Sequence, residues 1–146
     1  MIIEITVLIN ICTINMSGQV QIVISVKVLN RFKFTMLGGY MNTQILNLHD
    51  RCRFHLGDVP DAWQAWFDDS DWDEVNLPHD WSVSQPFSRE YSSGTGYLAG
   101  GIGWYRIHIT PKEEWRGKRI VLAFDGVYKN SRVWCNSYYL GHRPNG

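Results

Sequence analysis

From residue 104 onward, apolar and polar side chains alternate in short runs that turn residues interrupt. Trp104-Tyr105-Arg106-Ile107-His108-Ile109-Thr110 has the two-residue period of a half-buried strand, and Pro111, which has no N–H to donate, ends it. Arg119-Ile120-Val121-Leu122-Ala123-Phe124 predicts a second strand with Ile120, Leu122 and Phe124 on one face, followed by a bend at Asp125-Gly126-Val127. Ser131-Arg132-Val133-Trp134-Cys135, the turn Asn136-Ser137 and Tyr138-Tyr139-Leu140-Gly141 read as a hairpin. Upstream, Arg53-Phe54-His55-Leu56-Gly57 predicts a short strand closing on a turn, and Ala62 to Phe67 predicts one helical turn behind an Asp61 cap. Val75-Asn76-Leu77 reads as a strand end that the X-Pro step at Pro78 stops. Short strands with few helical patterns point to an all-β sandwich.

Residues 1–40 follow a different pattern: they are rich in Ile and Val, lack Trp and Pro, and hold Glu4 as their only acid. Asn10, Asn15, Ser17 and Gln19 interrupt the apolar run, which makes it too broken for a membrane span of about 20 apolar residues. Its acidic start is also wrong for a secretory signal. Gln19 to Val28 can alternate as a strand. Codons for Gly38-Gly39 can encode a purine-rich ribosome-binding sequence just before Met41. The expectation is therefore that residues 1–40 are a leader, translated upstream sequence, and that the domain occupies residues 41–146. Because no closing strand follows the last hairpin, the sandwich is expected to be incomplete at its C-terminal end.

At 146 residues the chain is about one domain long. Its 14 basic and 14 acidic residues cancel, so no basic field favours nucleic acid or an anionic membrane as partner. All seven Trp lie between Trp63 and Trp134, a density that suits a β-rich core and equally suits carbohydrate, whose apolar ring face matches an aromatic ring. Cys12, Cys52 and Cys135 are odd in number and widely spaced, which points to thiols in a reducing compartment rather than to disulfides or zinc.

Four stretches carry candidate chemistry. The acidic run Asp68 to Glu74 contains a D-x-D-x-D core from Asp69, but Glu74 stands where a calcium loop needs glycine, so no metal is expected. A solvated acidic loop with Trp72 tucked inward is the alternative. His79 and Asp80 are neighbours on an extended segment and point to opposite faces, an arrangement that suits loop fixing better than a catalytic dyad. Residues 82–93 form a long serine-rich connection. Gly94, Gly96, Gly100, Gly101 and Gly103 then lead into the strand at Trp104. They lack the G-K-[ST] of a phosphate loop and the following helix of a dinucleotide fingerprint. No cofactor is expected.

In combination, these segments resemble the N-terminal sugar-binding domain of family 2 glycoside hydrolases, which contains β-galactosidases and β-glucuronidases. Phe54-His55-Leu56-Gly57-Asp58 is similar to the opening strand, and Leu77-Pro78-His79-Asp80-Trp81 to the proline-histidine-aspartate-tryptophan turn, which leans towards the β-galactosidase branch. Tyr97 to Arg106 resembles the family's glycine-rich segment. Phe124-Asp125-Gly126-Val127-Tyr128 and Val133-Trp134-Cys135-Asn136 resemble its central strands. Coverage runs from about Ile45 to the last residue. Ser137 departs from the usual hairpin glycine, and Asn145 from a common aromatic.

The resemblance implies a jelly-roll sandwich like galactose-binding domains, packed in a longer enzyme beside a (β/α)8 barrel. That barrel would hold the two catalytic glutamates of a retaining hydrolase, about 5 Å apart. None of Glu4, Glu74, Glu90, Glu113 and Glu114 lies in such a context, so no catalytic residue is assigned and no hydrolysis is expected of this chain alone. The resemblance implies a substrate-binding role, walling a β-galactoside pocket, for His79, Asp80, Tyr97, Gly100 and Gly101, with Trp134 packed inside the sandwich. Carbohydrate and the barrel are the implied partners. The alternative is a free-standing carbohydrate-binding module.

Overall fold

The computed structural model describes residues 3–11, 23–29, 43–48, 50–116 and 119–144. Its strands are β1 (Ile3–Ile11), β2 (Val23–Leu29), β3 (Thr43–Asn47), β4 (Cys52–Leu56), β5 (Asp73–Val75), β6 (Gly101–Ile109), β7 (Arg119–Gly126), β8 (Ser131–Cys135) and β9 (Tyr138–Arg143). They form two antiparallel sheets, a larger one ordered β5-β4-β6-β1-β8-β9 and a smaller one ordered β3-β2-β7. The expected all-β sandwich is present.

Alternation along β6 divides the molecule. Tyr105, Ile107 and Ile109 face the smaller sheet and bury with Phe54, Leu77 and Trp81, while Ile120, Leu122 and Phe124 of β7 pack against them. Each fully buried large apolar side chain of this kind contributes about 1.5–3 kcal/mol relative to exposure. Trp104 and Arg106 face the other way, where residues 57–72 fold back over the sheet and Trp104, Trp72 and Ala62 form a second core. Trp134 packs there, its ring centroid 5.7 Å from that of Trp104. The expectation of Trp134 between the sheets is thereby corrected: Val133 takes the inward position, so pleat alternation sends its neighbour outward.

Other departures have identifiable causes. No helix forms over residues 62–67; they make hydrogen-bonded turns, because the Arg106 guanidinium takes the carbonyls of Ala62, Gln64 and Phe67. Trp72 is tucked inward at 5% exposure as expected, but Asp69 in the same loop is buried at 9%, not solvated. Strand β6 begins at Gly101, before the predicted start, and β7 continues through Asp125-Gly126, where a bend was expected. Of the predicted strand Gln19–Val28, the part from Val23 is strand β2, and residues 19–22 lie outside the described residues. Strand β1 fills the centre of the larger sheet, paired with β6 from Ile3↔Ile109 to Ile11↔Gly101 and with β8 from Ile5↔Cys135 to Leu8↔Arg132.

Candidate functional site

The glycine-rich segment and the His79-Asp80 turn meet through Trp81. Asp80 caps a 3-10 turn over Trp81–Ser84, its Oδ1 accepting from the Ser82 backbone N–H at 3.0 Å and from the Ser82 hydroxyl at 2.7 Å. The turn directs Trp81 inward, to 3% exposure, under the first residues of β6. A Cβ on Gly103 would lie 3.0 Å from Phe54 Cε2 and 3.3 Å from Trp81 Nε1, and one on Gly101 would lie 3.7 Å from Trp81 Cη2. Gly103 is thus required by close packing of two rings. Gly101 is the first residue of β6, and Gly100 is exposed just before it.

His79 turns towards the core. Its Nδ1 lies 2.9 Å from the Tyr105 hydroxyl, and its ring meets Phe54 edge-on at 4.8 Å. Burial lowers the His79 pKa, although Asp80 and Asp73 push it back up. Burial also pushes the Tyr105 hydroxyl well above its ordinary range, so it keeps its proton beside the His79 ring.

The loop between the Trp81 turn and β6 folds on itself. The Ser88 N–H donates to the Tyr97 carbonyl at 3.0 Å, the Tyr97 N–H to the Ser92 carbonyl at 3.1 Å, and the Tyr91 N–H to the Ser88 carbonyl at 3.1 Å. Gly96 (φ 63°) and Tyr97 (φ 62°) are both left-handed, and this reverses the chain and presents the Tyr97 ring. Tyr97, Phe87, Ser88 and Arg89 line an open groove of about 860 Å³. Phe87 is 75% exposed and Tyr97 47%, so two rings, a hydroxyl and a guanidinium are available to a ligand there.

Of the residues singled out from sequence, Tyr97 lies on this groove; His79 and Asp80 make their described contacts with Tyr105 and Ser82. Phe87, Ser88 and Arg89 escaped sequence reasoning, since it is the Ser88–Tyr97 pairing that brings them to Tyr97. Arg89 in the long serine-rich loop was the available clue. Among the described residues no cluster of His, Cys, Asp or Glu could hold a metal, and no helix is long and apolar enough to cross a membrane. Burial raises the Cys52 thiol to about 12, which leaves it an unreactive core group.

The 62–69 loop is fixed from beneath by Arg106, which is fully buried. Its Nε donates to Asp69 Oδ2 at 2.9 Å, Nη1 to the Ala62 and Gln64 carbonyls at 2.5 and 3.2 Å, and Nη2 to the Phe67 carbonyl at 3.4 Å. Burial lowers its pKa to about 10, still high enough to keep the charge near neutrality. From above, the Ala65 N–H donates to Ser137 Oγ at 2.7 Å. Asn136 (φ 49°) and Ser137 (φ 69°) are both left-handed, as a tight hairpin turn requires, so the serine that replaces the usual glycine keeps the turn and adds a tether.

A β-galactosidase of Bacteroides ovatus is 49% identical to this chain over 96 residues, covering 64% of the chain and 11% of the relative. A β-galactosidase of Thermoanaerobacter pseudethanolicus is 28% identical over 106 residues, 73% of the chain and 14% of the relative. A β-glucuronidase relative from Formosa agariphila is 41% identical over 102 residues, 68% of the chain and 10% of the relative. The chain belongs to family 2 of the glycoside hydrolases. No family model matches it, and no solved structure matches it. This family 2 sequence spans 10 to 14% of the length of those relatives, so it corresponds to a small part of each.

Proposed function

We propose that this chain is the N-terminal sugar-binding part of a retaining β-glycosidase of the β-galactosidase type, acting in the bacterial cytoplasm, and that it walls one side of the sugar pocket. The reading is carried by the 49% identity to the Bacteroides ovatus β-galactosidase. The Tyr97 groove supports it, because exposed rings beside a guanidinium and a hydroxyl match the alternating apolar and hydroxylated surface of a pyranose. The catalytic glutamates would come from the barrel of the same enzyme, one as acid/base and one as nucleophile. Asp80 and His79 would act by holding the turn that leads into the groove loop, with Asp80 also able to accept from sugar hydroxyls, while Gly100 and Gly101 would let the backbone approach.

We also propose translation of the native gene from Met41, on the Gly38-Gly39 spacing. Starting there removes β1 and β2 and opens the larger sheet between β6 and β8. N-terminal sequencing of the native product checks this, and a terminus at Met1 refutes it.

Mixing tests the functional reading. The chain is added to the Bacteroides ovatus β-galactosidase from which the aligned part has been deleted, and hydrolysis of chromogenic β-galactosides and β-glucuronides is followed. Hydrolysis in the mixture and in neither component alone is the expected result. Hydrolysis by the chain alone, or none in the mixture, counts against it.

A further inference from the structure

The two sheets are unequal in width, and burial along the core follows from that. Phe54 of β4 and Tyr105, Ile107 and Ile109 of β6 point inward and are buried. Ile120, Leu122 and Phe124 of β7 and Val133 and Cys135 of β8 also point inward, yet all five are only half-buried. They line a cleft of about 840 Å³, with β7 on one side and β8 and β9 on the other. The cleft lies where both sheets stop: β7 is the end strand of the smaller sheet, and β9 of the larger. Among the described residues β7 pairs with β2 alone, so every second residue along it turns its N–H and C=O away from β2 with no strand to receive them.

We infer that this cleft receives an extended segment with apolar side chains at alternate positions, supplied by the remainder of the longer enzyme, which pairs with the open edge of β7 as a fourth strand of the smaller sheet. Placed there, it covers the inner faces of β8 and β9 and closes the cleft. A strand added beyond β9 lengthens the larger sheet instead and leaves the cleft open. The inward side chains of the added strand stand beside the row Ile120, Leu122 and Phe124 and face Val133 and Cys135 across the gap. A small amphiphile fills volume but leaves the β7 backbone unpaired; an apolar strand meets both needs. The matched part is 11% of the Bacteroides ovatus β-galactosidase, so most of that enzyme's length is available to supply the strand. The inference rests on the proposed function only in taking the segment from the rest of the enzyme, and it makes no use of the Tyr97 groove.

Overlapping synthetic peptides covering the Bacteroides ovatus sequence outside the aligned part are each mixed with the full chain. Two signals are read: alkylation of Cys135, a free thiol in the cleft, mapped by mass spectrometry, and backbone amide exchange. One peptide is expected to slow both Cys135 alkylation and exchange along β7 saturably, while its scrambled sequence does neither. Leu140 lines the cleft and is 56% exposed, and Leu140→Glu should weaken that peptide about tenfold or more, because the contact strips a charge of its hydration. Should this variant fail to fold in a urea titration, the two wild-type signals decide. Slowed exchange along β9 in place of β7, no effect of any peptide, shielding of Cys135 by laurate alone, or self-association that shields it without peptide overturns the inference. Hydrolysis restored in the mixture of chain and deleted enzyme without slowed exchange along β7 overturns the inference and leaves the proposed function standing; slowed exchange without hydrolysis does the reverse.

Discussion

Replacing Arg106 by Met keeps most of the side-chain volume and removes the charge that fixes residues 62–69. Arg106 is 0% exposed, and its guanidinium is bound to the Asp69 carboxylate and to three backbone carbonyls. Removing one member of a buried ion pair destabilises by about 3–5 kcal/mol, since the partner is left charged and unpaired. Asp69 keeps one partner, His108 Nε2 at 2.8 Å, and this places the expected loss at the lower end, about 3 kcal/mol. Chemical unfolding of wild type and Arg106→Met, followed by the fluorescence of the Trp72, Trp104 and Trp134 cluster, measures it. Arg106→Lys should recover only a minor part, because one ammonium cannot fork to the carboxylate and three separate carbonyls. A loss below about 1 kcal/mol with unchanged native fluorescence would refute the claim that this ion pair organises the outer core.

Two further outcomes follow from the inner core. Gly103→Ala should lower stability by about 1–3 kcal/mol, read from the unfolding midpoint, because the new methyl meets Phe54 at 3.0 Å and both affected rings are buried; an unchanged midpoint contradicts this. The His79 pKa is lowered from 6.5 by burial, so the unfolded chain binds the extra proton first: the stability it contributes is complete above about pH 6.5 and is lost as pH falls below that value. Unfolding midpoints between pH 7.5 and 5 should show the fall in wild type and a shallower one in His79→Gln, and identical profiles would refute the assignment.

Sequence reasoning reached furthest where side chains alternate around a turn. The hairpin Ser131–Cys135, Asn136-Ser137, Tyr138 onward formed as read, since a two-residue period and a two-residue turn are local properties. The helical turn at Ala62 to Phe67 failed because Arg106, some 40 residues away, takes the carbonyls a helix would need. Strand β1 lay beyond reach for a related reason. Its place between β6 and β8 is a long-range pairing that its broken Ile- and Val-rich pattern does not declare.

The glycines before Trp104 were legible as a close-approach segment, yet what approaches Gly101 and Gly103 is the ring of Trp81. Tyr97 became a site candidate only through the resemblance of its glycine-rich segment to that of the family. Its companions Phe87, Ser88 and Arg89 were not legible, because the Ser88–Tyr97 hydrogen bond folds two distant ends of one loop together.

The central claim is that the Tyr97 groove walls the sugar pocket of a β-glycosidase, and the Michaelis constant of the reconstituted mixture tests it most directly. Truncating Tyr97 to Ala removes a stacking ring worth about 0.5–1.5 kcal/mol. With wild-type chain or Tyr97→Ala added to the deleted Bacteroides ovatus enzyme, the account predicts a KM for a chromogenic β-galactoside raised about 2- to 13-fold by the substitution, with kcat little changed. An unchanged KM in a mixture that hydrolyses the substrate would contradict it.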